Sequence, residues 1–293
     1  MPTWIKNFVR FAVFGNIWVA FAAVCLYWET VLLHSLRFQL PLSLSIFGAT
    51  LFIYNYHRLF RKKAIYSGDQ SERHQWIVAN HHFLTALAVV ALALSVVGFL
   101  PFLNVKLVLR FAPFILLAGF YVIPIWRKGG KWIRLRDFPF LKIFLVAAVW
   151  AFVTVFLPFL ADDPNWFPSA AAWLTITHRF LFIFAITMPF DIRDLAHDKE
   201  YGVVTFASRL GIPGLKTASR LMILAVAVCG IAGYLLKYYS PGHGLGLIIS
   251  AASTGWLISR GDENSDEWYY VGWLDGSMVD QLFWVWLIGV LMN

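Results

Sequence analysis

Apolar residues along this chain gather into long unbroken stretches, separated by short polar segments. Nine stretches stand out, at roughly 8–28, 38–57, 80–100, 107–126, 142–160, 170–190, 219–237, 243–259 and 272–292. Each is close to the roughly 17–25 residues an α-helix needs to cross hydrocarbon. The runs are continuous, not alternating, which excludes a membrane β-barrel. In lipid the backbone must satisfy its own polar groups, so helices are the remaining solution. The pattern predicts an all-α fold: a polytopic membrane helical bundle of about nine transmembrane helices, forming one domain over residues 1–293.

The polar segments alternate in charge. One set carries Lys6 and Arg10, then Arg58 to Lys63 and Arg73, then Arg127 to Lys142, then Arg193 to Arg220, then Arg260; it holds 19 of the 24 basic residues. The opposite set has only Arg37, Lys106, Arg110 and Lys237. Basic residues favour the cytoplasmic side, so the N-terminus and the longer connecting segments are expected there, in a cell or inner membrane. Ala161 to Asn165, on the other side, reads as a tight turn.

Composition agrees with this picture. The chain is 60% hydrophobic and 14% charged, against roughly a quarter charged in soluble domains. Its net charge of +8 follows from topology and implies no nucleic acid. The 14 Trp, several near run ends, suit either the headgroup level or packing between helices. Cys25 and Cys229 lie inside apolar runs and suggest neither a disulfide nor a metal site. The first run is long enough to be a retained helix, with no cleavage pattern.

Chemistry concentrates after the sixth stretch. Asp191, Asp194 and Asp198 are spaced i, i+3 and i+7, which on a helix puts them within about 60° of one another along about 10 Å. Three clustered carboxylates require a compensating cation. Hard oxygen ligands with open positions suit Mg2+, which often bridges carboxylates to phosphates and would stabilise a diphosphate leaving group. The alternative is a solvated helix end in which Asp191 and Asp194 pair with Arg193 or Lys199.

The stripe continues with Gly202, Thr205, Leu210 and Gly211. This D-x-x-D-x-x-x-D-x-x-x-G-x-x-T pattern, followed by L-G, resembles the second Asp-rich motif of the UbiA family of intramembrane prenyltransferases. Tyr121 to Pro124, Arg134 to Lys142, and Trp150 are similar to the family's stretch between spans four and five. The resemblance implies transfer of a polyprenyl group from an isoprenoid diphosphate to a lipid-soluble, aromatic or other acceptor, with Mg2+ as cofactor. It implies that Asp191, Asp194 and Asp198 hold the metal, and that Asn55, Asp191 and Asp194 serve catalysis. Lys142 matches a family position that contacts phosphate; an interfacial anchor is the equal alternative.

The departure lies near the end of the second stretch. The family's first motif reads N-D-x-x-D-x-x-x-D, whereas here Asn55 is followed by Tyr56, Leu59 and Lys63 at the acid positions. Asp69 and Glu72 are the nearest acids. Arg58, Arg61, Lys62 and Lys63 can neutralise a diphosphate directly, with Lys142 and Lys199 as further contacts. They also fit plain positive-inside topology, or a fold that binds an isoprenoid lipid or serves as a membrane scaffold without catalysis. A small transporter would be expected to show an internal repeat, and none is visible.

Several other groups are polar inside apolar runs. His178 and Arg179 lie within the sixth stretch, where a charge faces the bundle interior or a cavity; a structural network is the favoured reading. Asn16 and Asn55 can face one cavity or join helices. His57, His74, His81 and His82 lack the spacing of a metal site. Asp262, Glu263, Asp266 and Glu267 read as a solvated acidic loop, and Asp275 and Asp280 sit in the last stretch.

Overall fold

The computed structural model describes residues 2–60, 72–122, 126–128, 131–133, 138, 140–195, 198, 204–262 and 264–292. Its helices, in order, are α1 (Thr3–Phe14), α2 (Ile17–His34), α3 (Leu40–Phe60), α4 (Glu72–Ala79), α5 (His81–Phe99) and α6 (Val105–Val122). A two-stranded antiparallel hairpin follows, β1 (Trp126–Lys128) and β2 (Lys131–Ile133), with Trp126 opposite Ile133. This small hairpin is an addition to the expected all-helical pattern. Then come α7 (Leu141–Ala151), α8 (Leu157–Asp162), α9 (Ala170–Thr187), α10 (Phe190–Arg193), α11 (Phe206–Leu235), α12 (Pro241–Arg260) and α13 (Asp275–Met292). Each expected apolar stretch falls mostly on helix. Six helical stretches among the described residues are long and apolar enough to cross a membrane: Ile17–His34, His81–Phe102, Leu141–Asp162, Ala170–Arg193, Phe206–Leu235 and Tyr269–Met292.

The chain forms two compact units. One comprises Met1–Cys25 and Phe38–Leu103; the other comprises Leu26–Arg37 and Asn104–Asn293. In the first, α3 lies against α5 at very short range. A Cβ on Gly48 would stand 2.5 Å from the Ala91 carbonyl oxygen, and one on Gly98 would stand 2.6 Å from that of Pro41. Small residues at a helix crossing permit this approach, and Ser45 Oγ donates to the Ser95 carbonyl at 3.0 Å across it. Before α3, the expected first span of 8–28 is corrected. The helix stops at Phe14 and restarts at Ile17. Asn16 takes φ 64°, a left-handed conformation that Asn tolerates and that ends a helix. Segment α1 is tied to α4 by an Arg10–Glu72 ion pair and by Phe11 and Phe14 edge-on to Trp76.

In the second unit α12 and α13 are close neighbours for the same reason as α3 and α5. A Cβ on Gly246 would meet the Trp284 carbonyl at 2.7 Å. Helix α7 runs through a wide π turn at Phe152–Phe156 into α8, where Phe152 stacks on Phe114 of α6 at 3.7 Å. Lys106 donates to Asn165, and Arg110 to the Trp166 carbonyl. These bonds fix the turn between α8 and α9, which sets where α9 starts and so where its far end delivers the aspartates.

Candidate active site

Helix α9 ends at Thr187 because Pro189 has no N–H to continue the ladder. The chain turns through Met188 and Pro189 and resumes as α10. The Asp191 amide donates to the Met188 carbonyl, that of Asp194 to Phe190 and that of Asp198 to Asp194, at 3.0, 3.1 and 2.9 Å. These backbone bonds put Asp191, Asp194 and Asp198 each at a hydrogen-bonded turn.

Asp191 is buried, at 3% exposure. Its Oδ2 accepts from the Phe206 amide at 3.2 Å, the first residue of α11. The first amides of a helix lack intrahelical partners and carry partial positive charge, so they suit a carboxylate. Thr205 and Ser208 form a reciprocal capping box on the same turn, the arrangement that satisfies two further donors. The charges of Lys142, Asp194 and Asp198 also act on Asp191. Lys142 Nζ lies 3.9 Å from Asp194 Oδ2, presented by the first turn of α7. That helix begins after Phe140, which is left-handed at φ 64°. Beside these charges stands an aromatic group. Phe206 lies 4.7 Å from Phe140 and 5.9 Å from Phe184, and Phe144 lies 4.8 Å from Phe184.

Asp194 is held from another side. Arg193 forms a fork on it, Nε to Oδ1 at 2.8 Å and Nη2 to Oδ2 at 3.3 Å. The pairing of Asp194 with Arg193, one of the two sequence readings, is therefore present. Among the described residues no group of three His, Cys, Asp or Glu side chains converges on one point. The carboxylates form a stripe and not a cage. That donor set fits Mg2+ in its usual mode, one or two carboxylates with the remaining positions left to water and phosphate.

Asn55 sits at 0% exposure, and its amide is heavily engaged. Its Nδ2 donates to the Gly15 and Leu51 carbonyls at 3.1 and 3.0 Å, and its Oδ1 accepts from Asn16 at 2.9 Å. Asn16 and Asn55, read from the sequence as facing one cavity or joining helices, bond each other and brace the break between α1 and α2. Replacing Asn55 with Ala leaves buried groups of Asn16 and Gly15 without these partners. A loss of about 1–3 kcal/mol is expected, measured as a lower unfolding midpoint of the purified protein in detergent. Arg58 lies on α3; Arg61, Asp69, Lys199 and Gly202 lie outside the described residues. Glu72 pairs with Arg10.

His178 and Arg179 are wholly buried. Arg179 Nη2 meets Glu29 Oε1 at 3.1 Å, and its Nη1 donates to Thr154 at 3.4 Å. Nearby, His34, Thr175 and Tyr239 form a hydrogen-bonded chain, 2.7 and 2.8 Å per link. The structural reading of Arg179 is thus the one this network supports. Sequence reasoning missed Glu29, although an acid inside an apolar run is itself a signal. It also missed Glu267, read as solvated, whose Oε2 lies 3.6 Å from Arg193 Nη1. No spacing rule links those two residues.

The fold has known counterparts. No curated protein matches the chain in sequence. Among solved structures, a UbiA homolog from Archaeoglobus fulgidus bound to GPP and Mg2+ is similar, with a TM-score of 0.64 and 12% identity, over 95% of this chain and 99% of that one. The apo structure of a UbiA homolog from Aeropyrum pernix K1 gives 0.61 and 18%, over 93% and 95%. A structure described as digeranylgeranylglyceryl phosphate synthase in membranes gives 0.56 and 11%, over 98% of both. At these identities the likeness concerns the fold. The sequence itself carries the family's pattern over residues 79–288, most of its length and all of the aspartate stripe, and the chain belongs to the UbiA prenyltransferase family.

Proposed function

We propose that this integral membrane protein transfers a polyprenyl group from an isoprenoid diphosphate to a lipid-soluble acceptor, with its site on the cytoplasmic face. The observation that carries the reading is the juxtaposition of Asp191 and Asp194 with Lys142 at the end of an apolar helix. The GPP and Mg2+ bound by the Archaeoglobus fulgidus homolog support the substrate class and the cofactor. Asp191, Asp194 and Asp198 would hold Mg2+, which supplies charge neutralisation to the departing diphosphate. Lys142 would contact the diphosphate oxygens; Arg58, Arg61 and Lys199 are carried as further diphosphate contacts from the sequence pattern alone.

The reaction breaks the allylic C–O bond, and both electrons leave with diphosphate. The allylic cation bonds to the acceptor, which then gives up a proton. Phe140, Phe144, Phe184 and Phe206 exclude water and offer aromatic faces to positive charge. The basic run after Asn55 replaces acids with cations, which assigns part of the neutralisation to the protein itself.

A second reading, a member that binds an isoprenoid lipid without turnover, is favoured by one observation: both oxygens of Asp194 already engage Arg193. Pyrophosphate release from geranyl diphosphate, supplied with a lipid-soluble aromatic acceptor, separates the two. Release that requires Mg2+ and falls at least tenfold in Asp194→Ala is the expected result. Release that is absent, or equal in wild type and variant, favours binding without catalysis.

A further inference from the structure

Arg193 occupies a cage built from two distant parts of the chain. Its guanidinium lies over the Phe190 ring at 5.0 Å and within 5.7 Å of the Tyr270 ring centre. Its fork reaches Asp194, and Nη1 faces Glu267. The charge of Asp275 acts on it as well. The Glu267 side of the cage is anchored. Tyr270 Oη donates to the Asp262 carbonyl at 2.9 Å, Tyr269 Oη to that of Leu257 at 3.0 Å, and the Tyr269 amide to Asp266 Oδ1 at 2.9 Å. Glu267 is therefore presented by a stapled turn and does not trail in solvent.

The two acidic contacts of Arg193 differ in kind. The Asp194 fork is bidentate, the strong geometry for guanidinium and carboxylate. The Glu267 contact, at 3.6 Å, is longer than a hydrogen bond and has room to tighten. The Phe190 and Tyr270 rings flank the guanidinium, at 5.0 and 5.7 Å. A small rotation within the cage can exchange one carboxylate for the other and keep the cation paired. That exchange matters at Asp194, because a divalent cation must reach oxygens that Arg193 now covers.

Building on the proposed Mg2+-diphosphate site, we infer that Glu267 is a positioning residue: it is the alternate seat for Arg193, and by taking the guanidinium it releases Asp194 to a divalent cation. Glu267 does not touch the cation or the substrate. Its role is to hold the displaced positive charge at a distance from both. Without it, the cation competes with Arg193 for Asp194 at full strength.

The test measures cation binding rather than turnover. The full chain in lipid nanodiscs is titrated with Mn2+ in the presence of geranyl thiodiphosphate, an analogue that resists ionisation, and free Mn2+ is followed by electron paramagnetic resonance against empty nanodiscs. Glu267→Gln should raise the Mn2+ Kd by about tenfold, the scale of coupling between neighbouring charged groups. Glu267→Asp should recover most of that loss. In an Arg193→Gln background, where no guanidinium covers Asp194, Glu267→Gln should change the Kd by less than about twofold. Equal Kd values for wild type and Glu267→Gln overturn the inference, as does an undiminished Glu267 effect in the Arg193→Gln background. Binding of the analogue with no saturable Mn2+ site overturns the metal reading and this inference together.

Discussion

Asp191→Asn should lower pyrophosphate release by about 100–1000-fold, the scale for removing a charge-stabilising group from a reacting centre, with little change in unfolding midpoint. The substitution keeps size and shape. An amide oxygen can still accept from the Phe206 N–H, so the first turn of α11 retains its bond. What disappears is one negative charge of the stripe proposed to draw in a divalent cation. Asp191→Ala should lose the same activity and in addition about 1–2 kcal/mol of stability, because the Phe206 amide loses its buried acceptor. Measuring release and thermal unfolding on both variants separates the two roles. Equal activity in Asp191→Asn and wild type would remove this residue from the site.

The second large effect concerns the buried pair deep in the second unit. Glu29→Gln or Arg179→Met alone should destabilise by about 3–5 kcal/mol, because each strands an unneutralised charge at a wholly buried position. The double variant Glu29→Leu with Arg179→Met should return to within about 2 kcal/mol of wild type, since an apolar pair of similar volume avoids the desolvation cost. Unfolding midpoints of the three variants in detergent give the comparison. The motivation is geometric. Both side chains are at 0% exposure, and His178 beside Arg179 makes no hydrogen bond through either ring nitrogen among the described residues. Little else is present to absorb a lone charge. A double variant as unstable as the singles would mean that the pair's value lies in its specific contacts.

What the sequence made legible follows physical lines. Length and continuity of apolar runs are local quantities, so the helical stretches were readable, from the 80–100 stretch now seen as α5 to the last at α13. The aspartate spacing is also local: one helical turn relates Asp191 to Asp194, and no distant residue is needed to align them. The break at Asn16 was not read, although a Gly-Asn pair within an apolar run is a turn composition; the run's hydrophobicity outweighed it. Contacts between distant segments were beyond periodicity. Arg193 was anticipated as a partner of Asp194 because they are adjacent, but Glu267 is many residues away and nothing in its loop names its target. Likewise Arg179 was recognisable as a buried charge, while its partner Glu29 lay unremarked in another helix. Packing, which decides those pairings, is written in shapes that a linear pattern does not display.

The bond between Asp191 and the Phe206 amide has a practical consequence. One carboxylate closes the start of a long helix and also belongs to the proposed ligand stripe, so folding and occupancy share an atom. Any ligand that draws Oδ2 away loosens the first turn of α11, and any ligand that locks Asp191 in place tightens it. Hydrogen exchange at the Phe206 amide is thus a built-in gauge of what the stripe holds. It can be read without turnover, in the resting protein, and without knowing which acceptor completes the reaction.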